Sequence, residues 1–124
     1  MMSLENYYTI IDQHIEEYSA TFQIKLNAQH EMFIGHFPEF PLLPGVVQME
    51  LMQELLEMSI HQKLVLSSSK NIKFLGMINP TLNNILSVNL NWTMDQDVKL
   101  KSEIIFDADI PMVMFKYSAQ YTTV

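Results

Sequence analysis

The sequence contains no cysteine and no arginine. The lack of cysteine excludes disulfides, thiolate metal ligands and cysteine nucleophiles. Its basic residues are seven lysines against fourteen acidic residues, which gives a formal net charge of −7. An acidic chain without arginine argues against general nucleic-acid binding, because that activity depends on a basic surface.

Long apolar runs are also missing, and none approaches the ~20 residues that a membrane-spanning helix needs. The first residues, MMSLENYY, contain no basic start and no long apolar segment, so we expect no signal peptide and a cytoplasmic protein. There is no repeat, low-complexity tract or linker. With 48% apolar and 17% charged residues, residues 1–124 are predicted to form one domain around one core.

The first half of the chain predicts one strand and one long helix. Alternation of apolar and polar residues predicts a strand from Glu17 to Leu26, whereas residues 4–12 indicate only a short helix or a lead-in turn. A helix is predicted from Gly45 or Val46 to about residues 61–64. It is apolar around most of its circumference, so we expect it to be largely buried.

Four further strands are predicted after a turn at Ser67–Ser69. They cover residues 71–78, 85–94, 98–106 and 112–122. Short turns between the later strands indicate hairpins, so these strands should be antiparallel. One helix wrapped by a curved antiparallel sheet is an α+β arrangement, and it matches the hotdog architecture.

The stretch GHFPEFPLLPGVVQME, residues 35–50, breaks this pattern. Its three prolines exclude regular structure up to the predicted helix start. The first turn of a helix has unpaired N–H groups and partial positive charge, and Gly45 there would let a substrate approach the backbone. This is a suitable site for a carbonyl oxygen that gains negative charge.

Glu50 has two interpretations. Helical spacing places it in one stripe with Gln53, Glu54, Glu57 and His61, which is typical of a solvated helix face. Val46 and Val47 flank that stripe one turn earlier, and burial at an apolar end would keep a carboxyl group protonated near neutral pH.

A histidine, a carboxyl group and an oxyanion site within fifteen residues favour one type of reaction. His36 would remove a proton next to a carbonyl, and Glu50 would protonate a leaving group at the β position. That reaction is the dehydration of a 3-hydroxyacyl compound. The nucleophile motif G-x-S-x-G is absent. His14, His30 and His61 are interpreted as structural, and none has the spacing of a zinc ligand.

The motif G-H-F-P-x-x-P-x-x-P-G-V followed by an acid resembles the signature of the 3-hydroxyacyl-(acyl carrier protein) dehydratases, which have the hotdog fold. The resemblance implies that His36 is the base, that Glu50 is the acid, and that the N–H of Gly45 or Val46 holds the thioester carbonyl. It implies no metal and no organic cofactor. It also implies at least a homodimer, in which each site takes its histidine and its acid from different subunits. The substrate would arrive on the phosphopantetheine arm of an acyl carrier protein.

Several positions depart from the family pattern. Glu54 replaces a glutamine, Glu57 stands among positions that are usually small, and Thr81 replaces a glycine. These changes suggest a divergent branch that serves a specialised pathway, such as aryl-polyene or other polyketide-like lipid synthesis. Two alternatives stay open, namely an acyl-thioester hydrolase and a non-catalytic subunit that binds an acyl chain or its carrier.

A carrier-docking surface is predicted from charge. Acyl carrier proteins are acidic, so docking onto an acidic enzyme requires local positive charge. Lys63, Lys70 and Lys73 form the only lysine cluster near the middle of the sequence. They are the candidate docking residues, although scattered solubilising lysines are the simpler interpretation.

Overall fold

A computed structural model describes residues 5–34 and 41–124 of the chain. The strands are β1 Tyr8–Ile15, β2 Ser19–Leu26, β3 Leu64–Phe74, β4 Ile85–Met94, β5 Val98–Phe106 and β6 Met112–Thr123, and the helices are α1 Glu31–Ile34 and α2 Gly45–Ile60. The strands form one sheet in the order β1-β2-β4-β5-β6-β3, and every neighbouring pair is antiparallel. The sheet therefore ends at β1 on one side and at β3 on the other.

The core lies between α2 and one face of the sheet. The strands β2, β4, β5 and β6 alternate buried and more exposed residues over most of their length, as their sequence pattern predicts. The buried residues of α2 are Val47, Gln48, Leu51, Met52, Leu55, Leu56 and Ser59. The other side of α2 is open, so the predicted burial around most of its circumference is found on one face only.

The N-terminal segment is a strand, and the prediction of a short helix or lead-in turn over residues 4–12 is wrong. β1 pairs with β2 from Tyr8 opposite Leu26 to Ile15 opposite Ala20, with an irregularity between Ile10 and Asp12. Because β1 is an edge strand and most of its side chains are exposed, it lacks the apolar alternation by which strands are recognised.

The serine-rich segment lies inside β3, where a turn at Ser67–Ser69 was expected. β3 pairs with β6 with register shifts between Leu66 and Ser68 and between Ser69 and Asn71. Such bulges absorb extra residues without ending the strand, and they disturb the alternation of side chains. The strand ends at Phe74, so residues 75–78 are not part of it.

The remaining boundaries lie close to their predicted positions. β4 and β5 have the predicted limits, β2 begins at Ser19, and β6 runs one residue further than expected. α2 ends at Ile60 because His61 adopts a left-handed conformation with φ 57° and ψ 40°. A left-handed residue commonly ends a helix, although glycine is the usual choice there.

Candidate active site

The start of α2 provides two backbone N–H groups for a ligand. Pro44 precedes the helix with an extended backbone, and its carbonyl accepts the N–H groups of Val47 and Gln48, both at 3.1 Å. Among the described residues, no acceptor pairs with the N–H of Gly45 or Val46. These donors lie at the positive end of the helix dipole, which favours an oxygen that carries negative charge.

Gly45 lies directly beneath an aromatic ring. A Cβ atom added to Gly45 would be 2.7 Å from Cζ of Phe74, so a larger residue requires the ring to move. The Phe74 ring stacks on Phe115 with centroids 5.0 Å apart. Glycine therefore lets the Phe74 ring pack closely on the helix start, and the approach of a substrate is a second reason for it.

A small cavity of about 210 Å³ opens beside Gly45. Its lining is mostly apolar and consists of Leu42, Leu43, Gly45, Gln48, Phe74, Gly76, Met77 and Ile78. Because this cavity borders Gly45, whose N–H has no acceptor among the described residues, it can hold apolar atoms next to a carbonyl.

Gln48 is a buried polar residue on the side of α2 that faces the sheet. Its Nε2 donates to the carbonyl of Leu43 at 3.1 Å, while the N–H of Leu43 donates to the carbonyl of Ile78 at 2.8 Å. Leu43 is thus bound both to the helix, through Gln48, and to the segment that follows β3. The Oε1 of Gln48 is buried and has no partner among the described residues. Sequence reasoning missed Gln48, although a glutamine on an apolar helix face is a detectable signal.

Glu50 lies on the open side of α2, and its side chain is exposed in the single chain. The expected burial of Glu50 at an apolar end of the helix is therefore not found within one chain. Val46, one turn earlier, is also exposed. His36 lies outside the described residues, so its position relative to Glu50 stays a prediction.

The other acids of the stripe have specific partners. Glu54 accepts a hydrogen bond from the hydroxyl of Tyr8. Glu57 accepts the N–H of Leu64 at 2.8 Å through Oε2, and Gln53 donates to the carbonyl of Leu64 at 2.9 Å. The stripe is therefore more than a solvated face. The two residues that depart from the family pattern thus have structural contacts: Glu54 binds β1, and Glu57 binds the start of β3.

Replacing Glu57 with alanine is expected to lower the free energy of unfolding by about 1–3 kcal/mol, because the N–H of Leu64 loses its acceptor in a half-buried position. Glu57→Gln keeps an acceptor oxygen, so it should lower the free energy of unfolding by less. Urea denaturation of both variants measures the difference. Equal stability of Glu57→Ala and the parent protein would show that water replaces the carboxylate without cost.

Three buried or half-buried tyrosines surround these acids. Burial raises the pKa of the Tyr7 hydroxyl above its usual range, and the carboxylates of Glu54 and Glu50 raise it further. Burial and the hydrogen bond to Glu54 raise the pKa of Tyr8 in the same direction. Burial also raises the pKa of Tyr121, with added effects of Tyr117, Glu50 and Glu57.

These shifts predict a loss of stability in alkaline solution. The unfolded tyrosines lose their protons near pH 10.0, whereas the folded ones keep them. The tyrosine contribution to stability is therefore complete below that pH and is lost as the pH rises above it. Thermal unfolding between neutral pH and strongly alkaline pH should show Tm falling by several degrees. Tyr121→Phe should make the fall shallower, and an unchanged pH profile in that variant would contradict this explanation.

The described histidines outside the motif have structural roles or are exposed. His30 is buried, its Nδ1 accepts the N–H of Met32 at 3.0 Å, and its Nε2 lies 2.7 Å from the carbonyl oxygen of Glu5. His14 is exposed beside Glu16, and His61 ends α2. Within residues 5–34 and 41–124, no three histidine, aspartate or glutamate side chains converge in a way that could hold a metal ion.

The three candidate docking lysines do not lie together. Lys70 and Lys73 are on β3, whereas Lys63 lines a groove at the end of α2 beside Glu54 and Glu57. The structure therefore separates Lys63 from the other two lysines. In the part of the chain that the structure describes, no helix has the length and apolar character to cross a membrane.

The model of the ApeI-like family, whose description is "ApeI dehydratase", matches residues 12–111 of this chain. Among curated proteins, 3-hydroxyacyl-(acyl-carrier-protein) dehydratase FabZ of Francisella tularensis subsp. novicida is 36% identical over 45 residues. That match covers 36% of this chain but only 28% of the length of FabZ.

Two solved structures show the same fold. The dehydratase heterocomplex ApeI:P from Xenorhabdus doucetiae matches with a TM-score of 0.74 and 23% identity, over 92% of this chain and 96% of that chain. A hypothetical thioesterase from Streptococcus pneumoniae TIGR4 matches with a TM-score of 0.68 and 12% identity, over 99% of this chain and 95% of that chain. These likenesses confirm the predicted hotdog fold, which dehydratases and thioesterases share.

Proposed function

Because this chain belongs to the ApeI-like dehydratase family, we propose that it removes water from 3-hydroxyacyl thioesters on an acyl carrier protein and forms trans-2-enoyl thioesters. The observation that carries the proposal is the start of α2, where two N–H groups without an acceptor among the described residues lie one turn before the exposed carboxyl group of Glu50. An oxyanion site and an acid are what this dehydration requires from the helix.

The proposed reaction begins with removal of the α proton by His36. Electrons move onto the thioester oxygen, which accepts hydrogen bonds from the N–H groups of Gly45 and Val46. One such donor can stabilise the transition state by about 3–4 kcal/mol. The carbonyl then re-forms, the bond from the β carbon to its hydroxyl breaks, and Glu50 of a second subunit protonates the departing oxygen to give water.

A homodimer is part of this proposal. Glu50 and Val46 lie on the open side of α2, where a second subunit would cover them. The edge strand β3 also exposes large apolar side chains, which is unusual for an edge that stays unpaired. They are Val65, Leu66, Ile72 and Phe74. The relative from Xenorhabdus is described as a heterocomplex, so a second dehydratase chain is the alternative occupant of this edge.

The departures at positions 54 and 57 do not argue against catalysis. The Glu54 carboxylate has the Tyr8 hydroxyl as its partner, and Glu57 holds the first residue of β3. Because both roles are structural, neither residue needs to replace Glu50 in the reaction. This supports an active enzyme over a non-catalytic acyl-binding subunit.

Thioester hydrolysis is the second candidate function, since a hypothetical thioesterase has the same fold and an exposed Glu50 is accessible to water. A 3-hydroxyacyl thioester of N-acetylcysteamine separates the two reactions. Dehydration gives the ultraviolet absorbance of an enoyl thioester and no free thiol. Free thiol without the enoyl absorbance would contradict the proposal and favour hydrolysis.

A further inference from the structure

Besides Lys25 on β2, five lysines lie on the side of the sheet opposite α2, and these five are grouped on its neighbouring strands β5, β6 and β3. They are Lys70 and Lys73 on β3, Lys99 and Lys101 on β5, and Lys116 on β6. All five are exposed, and those on β5 alternate with buried residues that face the core. We call these five residues the outer lysine face.

No carboxylate of residues 5–34 or 41–124 forms an ion pair with the outer lysine face. Lys73 lies directly opposite Lys116 in the pairing of β3 with β6, and like charges in that position destabilise a sheet. Between described residues, an ion pair with atoms within 4.0 Å is found for His14 with Glu16 and for no lysine of this face. The one carboxylate among them, Glu103, lies 3.3 Å from Nδ2 of Asn89, which donates to it.

Two adjoining hollows run across this face, with volumes of about 470 and 590 Å³. They share Asn71, Asn91, Lys101 and Ser118, and every lysine of the outer lysine face lines at least one of them. Ammonium, amide and hydroxyl groups therefore cover a continuous surface that can donate hydrogen bonds to carboxylates or phosphates.

The contrast in charge with the rest of the chain is large. The five lysines and Glu103 carry a net charge of +4. Because the whole chain carries −7, the remaining residues carry −11. A further carboxylate, that of Asp97, accepts a hydrogen bond at 2.6 Å from Gln120, which lines one of the hollows. A separation of charge on this scale favours a partner that is acidic and small enough to contact only this face.

A compact acidic protein fits these observations better than a membrane or a nucleic acid. An extended polyanion would also meet the strongly acidic remainder of the chain. Both aromatic residues that line the hollows, Trp92 and Tyr117, are buried, so the lining of these hollows offers no exposed ring for base stacking or membrane insertion.

We propose that the outer lysine face docks the acidic acyl carrier protein that delivers the substrate. This inference rests on the proposed function. It replaces the set Lys63, Lys70 and Lys73 with five lysines that share a surface, and it leaves Lys63 out.

The end of β3 connects this face to the candidate active site. Lys73 is the residue before Phe74, and the Phe74 ring lies against Gly45. β3 ends at Phe74, and Gly76 and the exposed Met77 line the cavity beside Gly45. The arm of a carrier docked near Lys73 and Lys116 would pass over the end of β3 into that cavity, without crossing the sheet.

Charge reversal tests this docking surface. Lys73→Glu combined with Lys116→Glu should weaken binding of the phosphopantetheinylated carrier by about tenfold or more in calorimetric titration, because two attractive charges become repulsive. The same double variant should raise KM for a carrier-bound substrate but not for an N-acetylcysteamine thioester. The matched control is Lys25→Glu combined with Lys63→Glu, which changes the net charge equally outside the outer lysine face and should bind carrier as the parent does.

Equal loss of carrier binding in both double variants, or no loss in either, would overturn the proposal. Vesicles that contain phosphatidylglycerol provide the competing test. Loss of vesicle binding in the Lys73/Lys116 variant with unchanged carrier binding would make this a lipid surface and would also overturn the proposal. Dehydration of the N-acetylcysteamine thioester tests the proposed function separately, because that substrate does not require docking.

Discussion

Glu50→Gln is expected to lower kcat for dehydration by about 10²- to 10⁴-fold, which is the range of general acid catalysis. Glutamine keeps the size of the side chain but has no acidic proton to give to the departing hydroxyl. Because Glu50 is exposed and the described residues show no hydrogen bond from it, Tm should change little. Steady-state kinetics with a 3-hydroxyacyl thioester measure the loss, and thermal unfolding shows whether the fold is intact.

Glu54→Gln is the matched control for this experiment. It makes the same chemical change one turn further along α2, where an amide oxygen can still accept the hydrogen bond from Tyr8. We expect kcat to stay within a few-fold of the parent value. If Glu54→Gln abolished dehydration and Glu50→Gln did not, the acid would be assigned to the wrong carboxyl group.

Mixing two inactive variants is expected to restore activity. In a homodimer with shared sites, a His36→Ala subunit supplies an intact Glu50, and a Glu50→Gln subunit supplies an intact His36. A mixed dimer therefore has one complete site and one site that lacks both groups. Random assembly of equal amounts should give about a quarter of the parent activity, since half of the dimers are mixed and each has one of two sites.

Refolding or co-expression of the two variants provides this mixture, and native mass spectrometry measures the share of mixed dimers. Each variant refolded alone is the control and should stay inactive. If mixed dimers form and no activity returns, His36 and Glu50 of one site do not come from different subunits. In that case either both residues serve a site within one chain or His36 is not the base.

Elements of the fold could be predicted where burial of one face makes apolar and polar residues alternate in the sequence. β4 and β5 pack one face against the core, so their alternation gave the correct limits. β1 was missed because it is an exposed edge strand, and β3 was misplaced because two bulges interrupt its alternation. α2 was found from its apolar residues, but the sequence does not show that one side of it stays open in the single chain.

The candidate site was predicted from a motif, and the contacts around it were not. The start of α2 lies at Gly45, as expected, and its N–H groups are unpaired among the described residues. The packing of Phe74 on Gly45 joins residues far apart in sequence, which no local pattern reveals. The outer lysine face was missed for the same reason, because its lysines become neighbours only through the pairing of β3, β6 and β5.

The most direct test of the central claim is the mass of an acyl carrier protein loaded with a 3-hydroxyacyl chain, read before and after incubation with this protein over several chain lengths. The carrier is expected to lose the mass of one water from the acyl chain and to keep the chain attached. Glu50→Gln is expected to slow this loss by about 10²- to 10⁴-fold. A carrier that loses its whole acyl chain, or that keeps its mass at every chain length, would contradict the assignment as a dehydratase.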